Sequence, residues 1–206
     1  MLLAHPDDET FGPGGTIARY SREGVDVRLA VATRGEAGQQ GDPPLVDRAG
    51  LGAFRESELR AAALVLGISE VEFLGFGDGK LVSTPFDSIL ERATASVRRF
   101  RPHVLVGFGP DGVSGHPDHI VMCDVAAAAF EAAADPARFP EHAALGLAPW
   151  AVLKLYRFEV DQAVFAAWQL PLKGVPAESL TTFIDTASTV DAKIEAFYCH
   201  RTQAKD

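Results

Sequence analysis

Two short segments bring together residue types that do chemistry. Ala4-His5-Pro6-Asp7-Asp8-Glu9 follows the first apolar run, and Ser114-Gly115-His116-Pro117-Asp118-His119 follows the run His103–Phe108 (HVLVGF). Imidazole nitrogens and carboxylate oxygens are the ligands of Zn²⁺ at about 2.0–2.2 Å, and a catalytic zinc keeps three protein ligands and one open position. His5 and Asp8 are spaced for one ion from a tight turn, and His116 and His119 repeat that spacing. Three such ligands leave Asp7 as a spare carboxylate beside the ion. A carboxylate there suits the general base of a hydrolase. Taken singly, each segment also fits a plainer role. Acids are favoured at a helix N-terminus, and Pro117 suits a first helical turn. Their joint placement after strands points to a metal site.

Elements that would position these residues follow from hydrophobic pattern. Leu2–Ala4, Val25–Val31, Val71–Leu74, His103–Phe108, Ala151–Phe158 and Leu180–Ile184 read as strands. Helices are expected over Thr16–Tyr20, Phe54–Leu66, Phe86–Phe100, Ile120–Ala134 and Thr189–Cys199. Gly67 suits the position just past its helix, and Ile89, Leu90, Ala93 and Val97 share one helical face. Alternation of this kind predicts an α/β fold, a Rossmann-like, mostly parallel sheet with helices on both faces. Ligands of such sheets bind at the carboxyl ends of the strands. Residues 1–206 read as a single domain, interrupted by two Gly/Pro-rich loops, Gly35–Gly52 and Phe139–Pro149.

Composition narrows the class. The 206 residues are 47% hydrophobic and 23% charged, as in soluble globular proteins rather than disordered ones. Nineteen Lys and Arg against 28 Asp and Glu give a net charge of −9, which disfavours nucleic acid and anionic membranes as partners. No apolar run approaches the ~20 residues of a membrane span, and the N-terminus lacks the features of a signal peptide. Cys123 and Cys199 suit a reducing compartment as small core side chains. A cytoplasmic location follows as the expectation, and a homo-oligomer is compatible with it.

Other features have structural readings. Gly12-Pro13-Gly14-Gly15 fails the dinucleotide fingerprint, because position 17 is Ile, and is expected to turn the chain into a helix. His103 reads as structural, His142 as a solvated loop residue and His200 as a helix-end cap. Trp150 and Trp168 read as core or rim residues.

AHPDDE followed by GPGG, then GHPDH, resembles the LmbE/PIG-L zinc-dependent de-N-acetylases. Thr33-Arg34-Gly35-Glu36-Ala37-Gly38, Arg55 with Glu58, Phe73-Leu74-Gly75 with Asp78-Gly79, and Lys193 with His200-Arg201-Thr202-Gln203 extend the resemblance along essentially the whole chain. The resemblance implies Zn²⁺, with Fe²⁺ as a substitute, bound by His5, Asp8 and His119. It implies Asp7 as general base, His116 as oxyanion stabiliser with Asp118 tuning its charge, and Glu9 as support. Arg55 and Asp78 would contact sugar hydroxyls. The implied reaction removes an N-acetyl or related N-acyl group from a small-molecule amino-sugar conjugate. Amidases of thiol conjugates belong to the same family. A non-haem Fe(II) enzyme shares the ligand types, but has no use for Asp7. A non-catalytic sugar-binding relative has no need of Asp7 and His116 together. Some members carry a tyrosine two residues before the first histidine of HPDH; here it is Ser114.

Overall fold

The computed structural model describes residues 1–204. They gather into two compact units, one of residues 1–2 and Lys80–Leu180, the other of Leu3–Gly79 with the residues from Thr181 on.

In the second unit, strands β2 (Arg28–Val31) and β3 (Glu70–Phe73) pair in parallel, Arg28 opposite Glu70 and Val31 opposite Phe73. The short strand β1 (Leu2–Leu3) flanks β2, giving the order β1-β2-β3. Leu29, Ala30 and Val31 are fully buried, which is why this strand reads as a continuous apolar run rather than an alternation. Helices α1 (Asp8–Phe11), α2 (Gly14–Arg22), α3 (Leu51–Leu66) and α7 (Val190–Cys199) complete the unit. Gly67 ends α3 with φ 76°. A side chain there would strike Ser21 Oγ at 2.0 Å, so the cap admits only glycine.

Gly12 and Pro13 turn the chain into α2, as expected, while the other two glycines have a packing role. Gly14 and Gly15 lie inside the first turn of α2. A Cβ on Gly15 would sit 2.8 Å from Thr186 Cβ, and one on Gly14 would sit 3.2 Å from Lys193 Cγ. Close approach of α2 to the C-terminal segment is what requires them.

In the first unit, β4 (Val104–Phe108) and β5 (Lys154–Phe158) pair in parallel along their full length. Helix α4 (Phe86–Phe100) buries Ile89, Leu90, Ala93 and Val97, the face expected from spacing. Each large apolar side chain so buried contributes about 1.5–3 kcal/mol. Helix α5 (Pro117–Ala134) lies against β4 closely enough that a Cβ on Gly107 would be 2.9 Å from Ala126 Cβ. A glycine facing an alanine permits that approach. Helix α6 (Gln162–Ala167), unmarked in the sequence pattern, is capped by Asp161, whose side chain accepts from Ala163 N–H.

Three expectations need correction. Leu180–Ile184 forms no ladder; Phe183 is 70% exposed there, so the run has neither a partner strand nor a buried face. His142 is buried, not solvated, with Arg98 Nη1 3.1 Å from its Nδ1. Helix α5 starts at Pro117 rather than Ile120, with His116 as its cap. His103 is exposed and packs edge-on against Trp150, while Trp168 is exposed. Cys123 is buried in α5, as expected of a small core residue. Among the described residues no helix is long and apolar enough to cross a membrane.

Candidate metal and catalytic centre

The chain leaves β1 and immediately turns. Ala4 O accepts from Thr33 N–H (3.0 Å) and Thr33 Oγ1 (3.2 Å), which pins the residue before His5 to the end of β2. Asp8 Oδ2 accepts from Ala4 N–H and His5 N–H (3.1 and 2.7 Å), closing the loop from beneath. Asp7 caps α1 in the left-handed region, φ 106° and ψ −28°. A non-glycine residue there is held by its surroundings, and such strain gathers at functional sites.

His5 lies between two carboxylates, its Nε2 3.1 Å from Asp78 Oδ1 and its Nδ1 3.7 Å from Asp8 Oδ2. Donation from Nε2 to Asp78 directs the Nδ1 lone pair to the Asp8 side. Two donor atoms of one tetrahedral ion are separated by about 3.4 Å, so this pair fits a divalent cation. A carboxylate on the far nitrogen of a ligand histidine orients the ring and raises its basicity. Burial pushes the Asp78 carboxyl up, but the His5 hydrogen bond and charge, the Ala37 N–H and Arg55 outweigh it and hold the pKa at about 2.

Asp7 Oδ2 accepts from Arg55 Nη2 at 2.9 Å. Burial and the adjacent Asp8 charge raise the Asp7 carboxyl from 3.8 to about 7, against the opposing pull of Arg55. Arg55 is 3% exposed and also donates to Gly35 O (2.7 Å) and Pro6 O. Gly35 has φ 67°, and a Cβ there would overlap the guanidinium, 2.0 Å from Nη1. The TRGEAG segment is thereby explained. Thr33 ties β1, Gly35 makes room for Arg55, and Glu36 Oε1 accepts from Asp78 N–H at 2.9 Å.

The other cluster lies in the first unit. His119 Nδ1 is 3.0 Å from Gly112 O, a pure acceptor, so Nδ1 carries the proton and Nε2 the lone pair a metal needs. The ring stacks on Phe108 at the end of β4 (centroids 4.3 Å, 12°), and Ser114 Oγ is 3.3 Å from Nδ1. The rings of His116 and His119 have centroids 4.9 Å apart. His116 Nδ1 accepts from Asp118 N–H at 3.2 Å, so the proton of this ring sits on Nε2. Asp118 is buried and its Oδ1 accepts from Leu81 N–H at 3.1 Å. One contact between the two residues therefore runs through the Asp118 main chain.

Sequence reasoning named Glu9 as support and His200 as the helix-end cap it is, but missed two pairings. Glu9 and His200 are both fully buried, with His200 Nε2 2.7 Å from Glu9 Oε1. Burial opposes a charged His200, yet the hydrogen bond and charge of Glu9 raise its pKa. Thr202 donates to Glu58 through N–H (2.8 Å) and Oγ1 (2.6 Å). The signal for both pairs was the HRTQ match near the C-terminus, which spacing alone could not interpret. Glu159, just after β5, is raised from 4.5 to about 7 by burial and by Asp111, against Arg157.

These features define an α/β protein with histidine–carboxylate clusters at strand ends. Residues 1–130 match the PIG-L family, GlcNAc-PI de-N-acetylase. The chain is 37% identical over 239 residues to the 1D-myo-inositol 2-acetamido-2-deoxy-alpha-D-glucopyranoside deacetylase of Rhodococcus jostii, covering 98% of this chain and 80% of that protein. The protein of the same name from Streptomyces avermitilis is 37% identical, covering 100% and 82%. Among solved structures, the N,N'-diacetylchitobiose deacetylase of Pyrococcus horikoshii superposes with a TM-score of 0.81 at 22% identity, over 100% of this chain and 70% of that one, a likeness of fold. The chain belongs to the GlcNAc-PI de-N-acetylase family.

Proposed function

We propose that this protein is a metal-dependent hydrolase that removes the N-acetyl group from a small-molecule amino-sugar conjugate. The observation that carries the reading is the Asp7 carboxyl, held by Arg55 and next in sequence to Asp8 of the His5–Asp8 pair, where a general base for a metal-activated water would stand. The high-coverage relatives, named as deacetylases of a glucosaminyl-inositol conjugate, support the same reaction and its substrate class.

The ion we propose is Zn²⁺, with Fe²⁺ as an alternative, and the ligands His5, Asp8 and His119. The support is the ligand-ready form of each ring and the motif pair. When bound, the ion supplies Lewis-acid polarisation of an acyl carbonyl and a lowered pKa for water. Asp7 takes the proton of the attacking water as its oxygen bonds to the acyl carbon. His116 donates its Nε2 proton as a hydrogen bond to the developing oxyanion. Asp7, now a carboxylic acid, returns the proton to the amine as the C–N bond breaks, leaving acetate and a free amino sugar. Arg55 spends its bonds on Asp7, Pro6 and Gly35, which favours aiming the base over gripping a sugar. Asp78 likewise orients His5.

The deciding experiment is acetate release from N-acetylglucosaminyl-inositol by protein loaded with zinc, stripped by chelator and reloaded. Activity that follows zinc supports the reading. A zinc-loaded protein that releases neither acetate nor amine overturns it.

A further inference from the structure

We infer that His200, acting through the buried carboxylate of Glu9, is a positioning residue that sets the conformation of Asp7; the inference rests on the reading of Asp7 as the general base. Asp7 holds a left-handed backbone, φ 106°, at the head of a helix only four residues long. A helix that short does not sustain itself, so the conformation must be fixed from outside. Glu9 Oε2 accepts the Asp7 N–H at 2.9 Å, capturing the peptide whose rotation would re-aim the Asp7 side chain. Glu9 is itself fully buried, and its other oxygen receives Thr10 Oγ1 at 2.6 Å and His200 Nε2 at 2.7 Å.

His200 reaches Glu9 from the far end of the sequence and is rigidly mounted. It closes α7, its N–H donates to Phe197 O (3.0 Å), and its O accepts from Gln203 N–H (2.9 Å) and Ala204 N–H (2.7 Å). Its Nδ1 is buried with no hydrogen-bond partner. The ring therefore has one polar task, donation to Glu9. A buried imidazole left half-satisfied is costly, and packing alone would be served better by an apolar side chain. The chain of bonds from His200 Nε2 to Glu9 to the Asp7 peptide approaches Asp7 through its backbone, while Arg55 holds its carboxylate.

His200→Leu removes the donor and keeps the bulk. Loss of such a supporting partner elsewhere lowers activity about 10–100-fold. We expect that loss in kcat, with KM and metal content unchanged, and faster hydrogen exchange at the Asp7 amide. His200→Gln restores an N–H donor and should recover most of both. The exchange readout needs no turnover, so failure of the deacetylase reading is told apart from failure of this one. Wild-type exchange in His200→Leu, or lost protection with wild-type kcat in an enzyme that deacetylates, overturns the positioning role. Should His200→Leu not fold, Glu9→Gln carries the same test: equal kcat loss with KM and metal retained supports the proposal, and wild-type kcat overturns it.

Discussion

Arg55 Nη2 lies 2.9 Å from Asp7 Oδ2, and the same guanidinium is anchored on Gly35 O. An arginine nine-tenths buried on such anchors cannot follow substrate; it fixes the carboxylate. Arg55→Lys supplies one point charge where a planar fork was required. Misplacing a reacting group by about 1 Å costs on the order of 10²-fold, so kcat should fall by about that factor. Arg55 also pulls the Asp7 carboxyl down. Where Lys restores that charge incompletely, the acid limb of the pH–rate profile should move to higher pH. A limb that moves to lower pH would contradict the pairing.

Asp7 itself titrates by a sign that can be worked out. Burial and Asp8 raise it to about 7 in the metal-free protein. A nearby cation favours the carboxylate, so loading a divalent ion should lower that value. Carboxyl-carbon NMR with and without zinc reads the shift directly. Asp7→Asn should keep zinc and lose about 10²–10⁴-fold in turnover. Loss of zinc would make Asp7 a ligand.

What the sequence made legible was local. Helix α4 matches its apolar spacing residue for residue, and the proximities of His5 to Asp8 and of His116 to His119 are between residues a few positions apart. What it hid were pairings between distant residues. Arg98 near the end of α4 looks like a solvated, dipole-matching cation, yet it is buried and donates to the carbonyls of Ala132, Asp135 and Arg138 as well as to His142. Glu9 and His200 stand 191 residues apart. The run Leu180–Ile184 has strand composition, but a strand exists only where a neighbour offers a ladder, and that is decided by topology.

Metal binding can be tested one ligand at a time. His5→Ala, Asp8→Ala and His119→Ala should each cut zinc content sharply, whereas His103→Ala, at an exposed ring packed on Trp150, should not. Bound zinc stabilises the folded state by mass action, so chelator should lower the Tm of wild type and leave the Ala variants little changed. Full occupancy in His119→Ala would move the ligand role to His116.

Glu159 gives the fold a pH dependence of its own. Its carboxyl is raised from 4.5 to about 7 in the folded state. Between those values the folded protein keeps a proton that the unfolded chain has released. Stability therefore falls as pH rises through that window, and the cost is fully felt above pH 7. Glu159→Gln mimics the protonated acid. It should match wild type near pH 4 and exceed it at pH 8 by about 1–2 kcal/mol, a partly exposed site's share of the full linkage. Equal Tm values for the two proteins at pH 8 would count against a raised pKa.

His116 tests the oxyanion role. It caps α5 through Nδ1, which accepts the Asp118 N–H at 3.2 Å, and this leaves the ring proton on Nε2. His116→Ala removes both functions. Losing the cap costs about 0.5–2 kcal/mol of stability, and losing an oxyanion donor costs about 10²–10³-fold in turnover. His116→Asn separates them. Its short side chain can still accept the Asp118 N–H, so Tm should recover, but it carries no donor where Nε2 was, so kcat should stay low. KM should change little in either variant, because a bond made only in the transition state leaves ground-state binding alone. Zinc content should also be retained in both. If His116→Asn recovered kcat together with Tm, the residue would be a helix cap and no more; if KM rose while kcat held, it would be a ground-state substrate contact.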